Sequence, residues 1–357
     1  MPSTRVQQIR CPNKDCPVHG RLGKGNILRH GFFKLKQGAR RRRFRCKACG
    51  KTFSSTKNTP YYRLHCTRRD FDEVAAMSVE GVSKSAIART KGISWNTAAR
   101  WLERAAVAAG QFNDRMTRGY ELREIQADEI KTFLINKDST TWILTTIEVW
   151  SRLWPSTIVG ARSHRNVRRV MADTSRRGRF EDFPLITTDG YYYYTLAIGR
   201  LFDRACVYGQ VIKTRRNDRV VRVDRRLVIG SPRTLEEALQ RSEDSETLNT
   251  SFIERMNLTL RQGSAYLCRR SACHARSNDT LRNHLELLRC FYNFVRPHRG
   301  LRFGSEVRTP AMQAGLVRRR LSFREVFTSV AGMLLCILIV IDFRTPDNRI
   351  ERELVAA

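Results

Sequence analysis

The sequence PLITTDGYYYY, residues 184–194, gives the clearest indication of the fold class of this chain. A short apolar run ends there on an acid, Asp189, which a glycine and four tyrosines follow. A buried strand typically presents a catalytic side chain at its carboxyl end in this way. An Asp-Gly pair can also form a plain turn, which is the structural alternative for Asp189.

Strand-like and helix-like segments surround this stretch. The strand-like runs that precede it are EIQADEIKTFLI (124–135), TTWILTTIEVW (140–150) and LWPSTIVGA (153–161). The other predicted elements are a helix over 164–176, a strand over 205–213, a helix from near Ser251 and a helix over 279–295. Strands first, and then strands mixed with helices, predict an α/β domain with a mixed sheet and flanking helices over 121–325. Its segment 213–247 is charged and irregular apart from one strand-like run, RVVRVDRRLVI (219–229), and we expect it to be an insertion.

Two cysteine pairs mark the N-terminal region. They are Cys11 with Cys16 and Cys46 with Cys49, and a glycine follows the second pair. Each spacing lets one loop offer two thiolates to a tetrahedral zinc ion. Because a segment this small cannot build a large core, metal binding would stabilise its fold. The pattern predicts a zinc ribbon over 1–62 that holds one structural Zn²⁺; four cysteines without a metal are the alternative.

Three helices are predicted over 63–110, and a linker follows over 111–120. Thr67 and Ser94 are suitable N-caps, and Gly81 and Gly92 mark the turns between the helices. The third helix has an apolar face and a polar face, an arrangement that resembles a helix-turn-helix with its last helix placed for the major groove. The residues proposed to contact DNA are Trp95, Asn96, Thr97, Arg100 and Arg104. An ordinary three-helix packing unit is the alternative.

The charge of the chain points to a polyanionic partner. The chain has 357 residues and a formal net charge of +32. Residues 1–69 contain 19 lysines and arginines and one acid. Within them, Arg40, Arg41, Arg42 and Arg43 form a run beside the second cysteine pair, and we expect them to contact DNA phosphates. We therefore expect double-stranded DNA as the partner, without a small-molecule substrate.

Three acids far apart in this basic chain have the chemistry of a metal site. They are Asp128, Asp189 and Glu254, and carboxylates are the ligands that hard divalent cations prefer. Paired cations roughly 3.5–4 Å apart drive in-line attack on phosphodiesters. Each acid also has a structural alternative: Asp128 could face solvent on a strand, and Glu254 could serve a capping box with Ser251. Glu129 is the rival of Asp128 as the first acid.

Three segments together carry a family resemblance. They are TTDGYYYY (187–194), NTSFIERMNLTLRQ (249–262) and CFYNFVRPHRGL (290–301). The chain resembles bacterial insertion-sequence transposases of the DDE type, specifically the IS-one family, over about residues 10–325. The resemblance implies a catalytic domain of the RNase H-like fold that follows the zinc-binding and helix-turn-helix segments. It also implies that Asp128, Asp189 and Glu254 hold two Mg²⁺ or Mn²⁺ ions.

A transposase of this kind would bind the terminal inverted repeats of its own element and would cleave and join DNA strands. Because two ends must be held together, we expect a homodimer or a larger assembly. Two other functions stay open. One is a sequence-specific DNA-binding protein without catalysis, such as a decayed transposase or a regulator. The other is an RNase H-like nuclease, which would cleave without preference for an end sequence.

The C-terminal segment 326–357 departs from this pattern. It begins with a stretch of 16 uncharged residues, from Val326 to Ile341, which is shorter than the roughly 20 residues that span a bilayer. A buried helix or strand is the ordinary interpretation, and a membrane span or a tail foreign to the domain are the alternatives. No apolar stretch at the N-terminus resembles a signal peptide, so we expect a cytoplasmic, nucleoid-associated protein.

Overall fold

A computed structural model describes residues 9–21, 23–34, 40–217, 219–242, 246–269 and 273–329. Its first unit is a small antiparallel sheet in the order β1-β2-β3. The strands are β1 (Ile27–Lys34), β2 (Arg40–Cys46) and β3 (Thr52–Ser54). Ile9, Ile27 and Phe44 are buried together with the cysteines, and they form a core separate from that of the rest of the chain. So small a core fits the prediction that this unit depends on a further crosslink.

The three predicted helices are present. They are α1 (Arg68–Val79), α2 (Lys84–Lys91) and α3 (Trp95–Met116). Thr67 caps α1 in a capping box with Asp70, and Ser94 caps α3 by accepting the N–H of Thr97. Gly92 ends α2 with a φ of 61°, in the left-handed region that glycine occupies without steric cost. The local cap residues therefore predicted the starts of these helices correctly.

The linker predicted over 111–120 is wrong for its first half, because α3 continues to Met116. Phe112 is buried, and its ring packs against that of Phe294 with centroids 4.9 Å apart. Asn113 donates from its amide to the backbone carbonyl of Glu286, at 3.0 Å. Phe112 and Met116 continue the apolar face of α3. The polar residues between them, 113–115, obscure this face in the sequence. As a result, one hydrophobic core extends from the three helices to the sheet.

A six-stranded mixed sheet forms the centre of the chain. Its order is β11-β10-β9-β5-β6-β7, and a separate short pair, β4 with β8, lies at its side. The strands are β4 (Tyr120–Glu121), β5 (Glu124–Phe133), β6 (Thr140–Glu148), β7 (Thr157–Gly160), β8 (Gly178–Arg179), β9 (Leu185–Thr188), β10 (Val207–Arg216) and β11 (Arg219–Ile229). Strands β5, β6 and β7 form an antiparallel meander, β9 and β10 run parallel to β5, and β11 pairs antiparallel with β10.

Helices cover both faces of this sheet. The remaining helices are α4 (His164–Arg177), α5 (Tyr192–Phe202), α6 (Pro232–Gln240), α7 (Ser251–Gln262), α8 (Asn278–Cys290), α9 (Pro310–Gln313) and α10 (Phe323–Ser329). A π-helical turn (Phe291–Val295), a 3-10 turn (Arg299–Leu301) and the strands β12 (Arg302–Phe303) and β13 (Glu306–Val307) lie between α8 and α9. Successive residues of β6 identify the two faces: Thr145 donates to Asn257 of α7, and Thr146 is hydrogen-bonded to Thr174 of α4. The predicted mixed sheet with flanking helices is confirmed.

Two segments differ from their predictions. The strand-like run predicted over 219–229 is confirmed as the edge strand β11, but the rest of the charged segment 213–247 is less irregular than predicted, because it completes β10 and supplies helix α6. The tail predicted to begin at 326 begins later, since Val326 and Phe327 are buried within α10. The ring of Phe327 packs on that of Phe71 in α1, with centroids 5.7 Å apart. The apolar stretch beyond residue 329 lies outside the described residues. Within the ranges described, none of the helices combines the length and apolarity needed to cross a membrane.

Candidate functional site

The four cysteines of the N-terminal unit meet at one point. Their sulfur atoms all lie within 4.8 Å of one another, with Cys11 Sγ 3.7 Å from Cys49 Sγ and Cys16 Sγ 3.8 Å from Cys46 Sγ. A tetrahedron of sulfurs about 2.3 Å from a central zinc has edges of about 3.8 Å. The donor set and its spacing therefore fit a structural zinc ion, and this cluster can bind zinc.

The surroundings of Cys46 favour its thiolate, whereas burial raises the pKa of Cys11 and Cys16 in the metal-free cluster. Burial raises the pKa of Cys46, but backbone N–H groups of the Cys49 turn and the amide of Asn26 outweigh it and lower that pKa to about 7. The Asn26 amide donates to Cys46 Sγ at 3.3 Å. Gly50 follows the second pair with a φ of 66°, as predicted for the tight turn. N–H groups that donate to the sulfur orient and stabilise metal-binding thiolates.

The arginine run occupies strand β2 and alternates between its two faces. Arg40 and Arg42 lie over the ring of Phe32, at 5.0 and 4.3 Å from its centroid, and Arg43 lies over Phe33 at 5.5 Å. None of Arg40, Arg41, Arg42 and Arg43 forms an ion pair with a carboxylate in the described part of the chain. An arginine stacked on an exposed ring keeps its N–H groups available, which suits contact with phosphates.

The residues predicted on the third helix do not all face the same way. Asn96 and Arg100 are exposed and line a cleft of about 600 Å³ between α3 and α8, and Trp95 at the helix start is 45% exposed. The hydroxyl of Thr97 is bonded to the cap Ser94 at 2.9 Å. Arg104 instead donates to the backbone carbonyl of Tyr62, in the segment that leads from the small sheet to α1. In this structure Arg104 therefore joins α3 to that segment, and Asn96 and Arg100 are the polar side chains free of this constraint.

The sheet brings two of the predicted acids together. Strands β5 and β9 are parallel neighbours, with Ala127 paired to Thr188, so the next residues on each are Asp128 and Asp189. One carboxylate oxygen from each of Asp128, Glu129 and Asp189 lies within 4.8 Å of the other two. Glu129 is the alternative to Asp128 as the first acid in the sequence, but the structure places both carboxylates in this group.

Glu254 lies on α7 and lines the same cleft, which has a volume of about 1020 Å³. It is not part of the tightest group. Its carboxylate accepts from Thr250 Oγ1 at 2.7 Å and forms an ion pair with Lys213 of β10. The negative charge of Glu254 raises the pKa of Asp128, which places the two carboxylates within electrostatic reach of each other. All three acids predicted from the sequence therefore face one cleft.

Burial and mutual repulsion make the ionised form of these carboxylates unfavourable unless a cation neutralises them. Desolvation, followed by the charges of Asp189 and Glu254, raises the pKa of Asp128 to about 6. Desolvation and the charge of Asp189 raise the pKa of Glu129 to about 7, although Arg162 opposes the shift. Buried carboxylates that repel one another are typical of sites that bind divalent cations, whose charge removes the penalty.

Two polar side chains that the sequence analysis did not identify hold the cluster in place. Asn257 donates from its amide to Asp128 Oδ2 at 2.7 Å. Gln126 Oε1 accepts the backbone N–H groups of Phe252 and Ile253, both at 3.1 Å, and so caps α7 from strand β5. The i, i+3 spacing of Glu254 and Asn257 is a sequence signal that they share a helix face. No sequence signal connected Gln126 with α7.

Comparison of the chain with protein-family models and with curated proteins gives no match. The interpretation of the site therefore rests on its own donors. Ligands on opposite sides of an octahedral Mg²⁺ ion lie about 4.2 Å apart, and a two-metal site is wider. Carboxylate oxygens grouped within 4.8 Å, with a further carboxylate across the cleft, fit a site of this chemistry. This acidic group can bind a divalent metal.

Proposed function

We propose that this chain is a DNA transposase of the DDE type, similar to those of the IS-one family, with an RNase H-like catalytic domain. The observation that carries the proposal is the convergence of Asp128, Asp189 and Glu254 on one cleft from sequence positions far apart. Acids that serve only as solvated surface groups or turn residues have no reason to gather in a chain of net charge +32.

The topology supports the RNase H-like assignment. An antiparallel meander of three strands, extended by two strands parallel to its first strand, gives the order 3-2-1-4-5 that this fold class has. The acids lie on the first strand (Asp128), after the fourth (Asp189) and on a following helix (Glu254), where the family resemblance expects them. In that arrangement Asp128, Asp189 and Glu254 would hold two Mg²⁺ or Mn²⁺ ions.

The side chains of the cleft have distinct tasks in this proposal. Asn257 orients Asp128, and Gln126 holds α7 so that Glu254 faces the other acids. Two divalent cations bound there would stabilise the attacking and leaving oxygens of a phosphodiester. Because no side chain has to form a bond to phosphorus, water can be the nucleophile that cleaves a strand. The 3′-hydroxyl of the cleaved strand can then attack a second strand in the same cleft.

The remaining cations of the cleft suit a polyanionic substrate. Arg215, Arg261 and Arg269 line its wall beside the acids. Farther away, the arginine-covered face of β2 and the exposed side chains of α3 would bind the terminal repeat, since arginine and asparagine can contact phosphates and base edges. Two ends bound at once imply a homodimer or a larger assembly during the reaction.

Asp189→Asn tests the proposal on duplexes that carry the DNA flanking each side of the gene. The substitution removes a metal-binding charge without removing a cation that contacts DNA. We expect Mg²⁺-dependent nicking to fall by at least about a hundredfold, while the dissociation constant for the duplex changes by less than about twofold. Asp138→Asn, in an exposed turn, is the matched control and should leave both unchanged.

The alternatives give different results in the same assay. A DNA-binding protein without catalysis would bind one flanking duplex specifically, and no variant would alter nicking because the wild type would not nick. A general nuclease would cut flanking and unrelated duplexes equally and would join no strands. Nicking by Asp189→Asn at the wild-type rate would refute the assignment of the metal-binding acids.

A further inference from the structure

The carboxylates of the cleft are already paired with cations of the protein itself. The guanidinium of Arg162 lies 3.4 Å from the carboxylate of Glu129 and 3.4 Å from that of Asp189. Across the cleft, the ammonium group of Lys213 pairs with Glu254. These two cations offset part of the mutual repulsion of the carboxylates and so help to hold them together.

The Arg162 contacts have the character of an exchangeable pair. Charge-assisted N–H···O bonds are usually about 2.7–2.9 Å long, so 3.4 Å is a loose contact. The guanidinium also lies 3.6 Å from the ring centroid of Tyr191 and 4.9 Å from that of Trp142. These rings can retain the cation when the carboxylates bind something else, because attraction to an aromatic face does not depend on a counter-ion. Arg162 is 31% exposed, so its N–H groups can reach solvent or a ligand.

We infer that Arg162 and Lys213 are exchangeable counter-ions of the metal site. They hold the carboxylates in place before a divalent cation binds, and they are released to the phosphodiester backbone when it binds. This inference rests on the proposed function, since it assumes a metal site that receives DNA. Both are positioning residues, because they act through the carboxylates that they hold in place.

Thermodynamic linkage gives the inference its measurable consequence. If a divalent cation must displace Arg162 from Glu129 and Asp189, the arginine competes with that cation when DNA is absent. When DNA is present, the released guanidinium binds phosphate, so metal and DNA strengthen each other's binding by the same factor. An arginine that only supports the fold would have neither effect.

The first measurement is a Mn²⁺ titration without DNA. Binding is measured by calorimetry and by the electron paramagnetic resonance signal of free Mn²⁺. We expect Arg162→Gln to bind Mn²⁺ about three- to tenfold more tightly than the wild type, because the competing charge is gone. Arg162→Lys keeps a competing charge and should bind Mn²⁺ within about twofold of the wild type. Lys213→Gln should also tighten binding. Arg168→Gln and Lys131→Gln, at exposed positions of α4 and β5, are charge-matched controls.

The second measurement is the affinity for a nuclease-resistant flanking duplex with and without Mg²⁺, read by fluorescence anisotropy. Mg²⁺ should increase the affinity of the wild type, and this increase should be at least about threefold smaller in Arg162→Gln. Circular dichroism checks the fold of each variant. If Arg162→Gln does not fold, Lys213→Gln alone must show tighter Mn²⁺ binding and a smaller Mg²⁺ effect.

The outcomes separate this inference from the proposed function. If Asp189→Asn loses Mn²⁺ binding and Arg162→Gln binds Mn²⁺ no more tightly than the wild type, the metal site stands and the counter-ion role is refuted. Weaker Mn²⁺ binding by Arg162→Gln likewise refutes it, and identifies a purely supporting arginine. If neither the wild type nor Asp189→Asn binds Mn²⁺, the proposed function fails and the inference fails with it.

Discussion

Replacing Gln126 with leucine removes the acceptor that joins strand β5 to helix α7. The N–H groups of Phe252 and Ile253 each lie 3.1 Å from Gln126 Oε1, and Thr250, the N-cap residue, makes no side-chain cap bond. Ile253 is fully buried, so leaving its N–H unsatisfied costs about 1–3 kcal/mol. Phe252 is half-buried, water can replace its lost bond, and the cost there is about 0.5–1.5 kcal/mol. Leucine has a similar volume, so we expect a local destabilisation of about 2–4 kcal/mol.

Hydrogen exchange of the peptide that covers 249–262 measures this effect where it arises, without assuming that a large chain unfolds in one step. A loss of about 2–4 kcal/mol should accelerate exchange at the start of α7 by roughly 30- to 1000-fold. Gln126→Glu keeps an acceptor and should retain most of the protection. Gln111→Leu, at an exposed position of α3, is the control. Wild-type protection in Gln126→Leu would refute the reasoning, because the amides of α7 would then have to be satisfied by other groups.

Two further predictions concern the zinc cluster and a buried acid. Cys46→Ser should lower the zinc content from one ion per chain and weaken DNA binding, because the small sheet has little core of its own. Metal analysis that still finds one zinc per chain would contradict the four-thiolate site. Burial raises the pKa of Glu148 to about 7, although Ser151 and Trp150 donate to it and oppose the shift. Because the pKa of Glu148 is higher in the folded state than in the unfolded state, protonation of Glu148 stabilises the fold at low pH. This stabilisation is lost as the pH rises through about 7. Protonation of Glu148 should therefore add about 2 kcal/mol to the free energy of unfolding between pH 8 and 5.5, besides the contributions of Asp128 and Glu129, whose pKa values are also raised. The pH dependence in urea denaturation should be smaller by this contribution in Glu148→Gln, and parallel pH curves would contradict the prediction.

The elements that the sequence predicted well are those with local signals. Thr67 and Ser94 are helix caps whose hydrogen bonds lie within three residues, and both are present. The strand that ends before Asp189 is a run of apolar and threonine side chains, all buried, and its acid follows at the strand end. These features depend on neighbours along the chain, so periodicity and residue type are sufficient to predict them.

The features that the sequence missed depend on contacts between distant segments. Gln126 caps a helix that begins more than 120 residues later, and Arg162 lies between acids from two strands. Phe112 is buried only because α8 and the π-helical turn supply its partner, Phe294. A glutamine on a strand or an arginine before a helix carries no local sign of such a partner. The sequence therefore predicts a linker where α3 continues over 111–116, and it gives Arg162 no role.

The sequence makes Asp128 and Glu129 alternatives for the first acid, whereas the fold brings both to the site. Side chains of successive strand residues point to opposite faces, so alternation alone would place at most one of the two at the site. Asp128 does face α7, where Asn257 donates to it, and Glu129 faces Arg162 on the other side. Asp189, however, follows the last residue of β9, beyond the regular pleat, and its carboxylate comes within 4.8 Å of both. The alternation rule therefore assigns the two acids to different partners instead of excluding one. Asp128 joins the cluster to the helix of the third acid, and Glu129 joins it to the arginine that balances its charge.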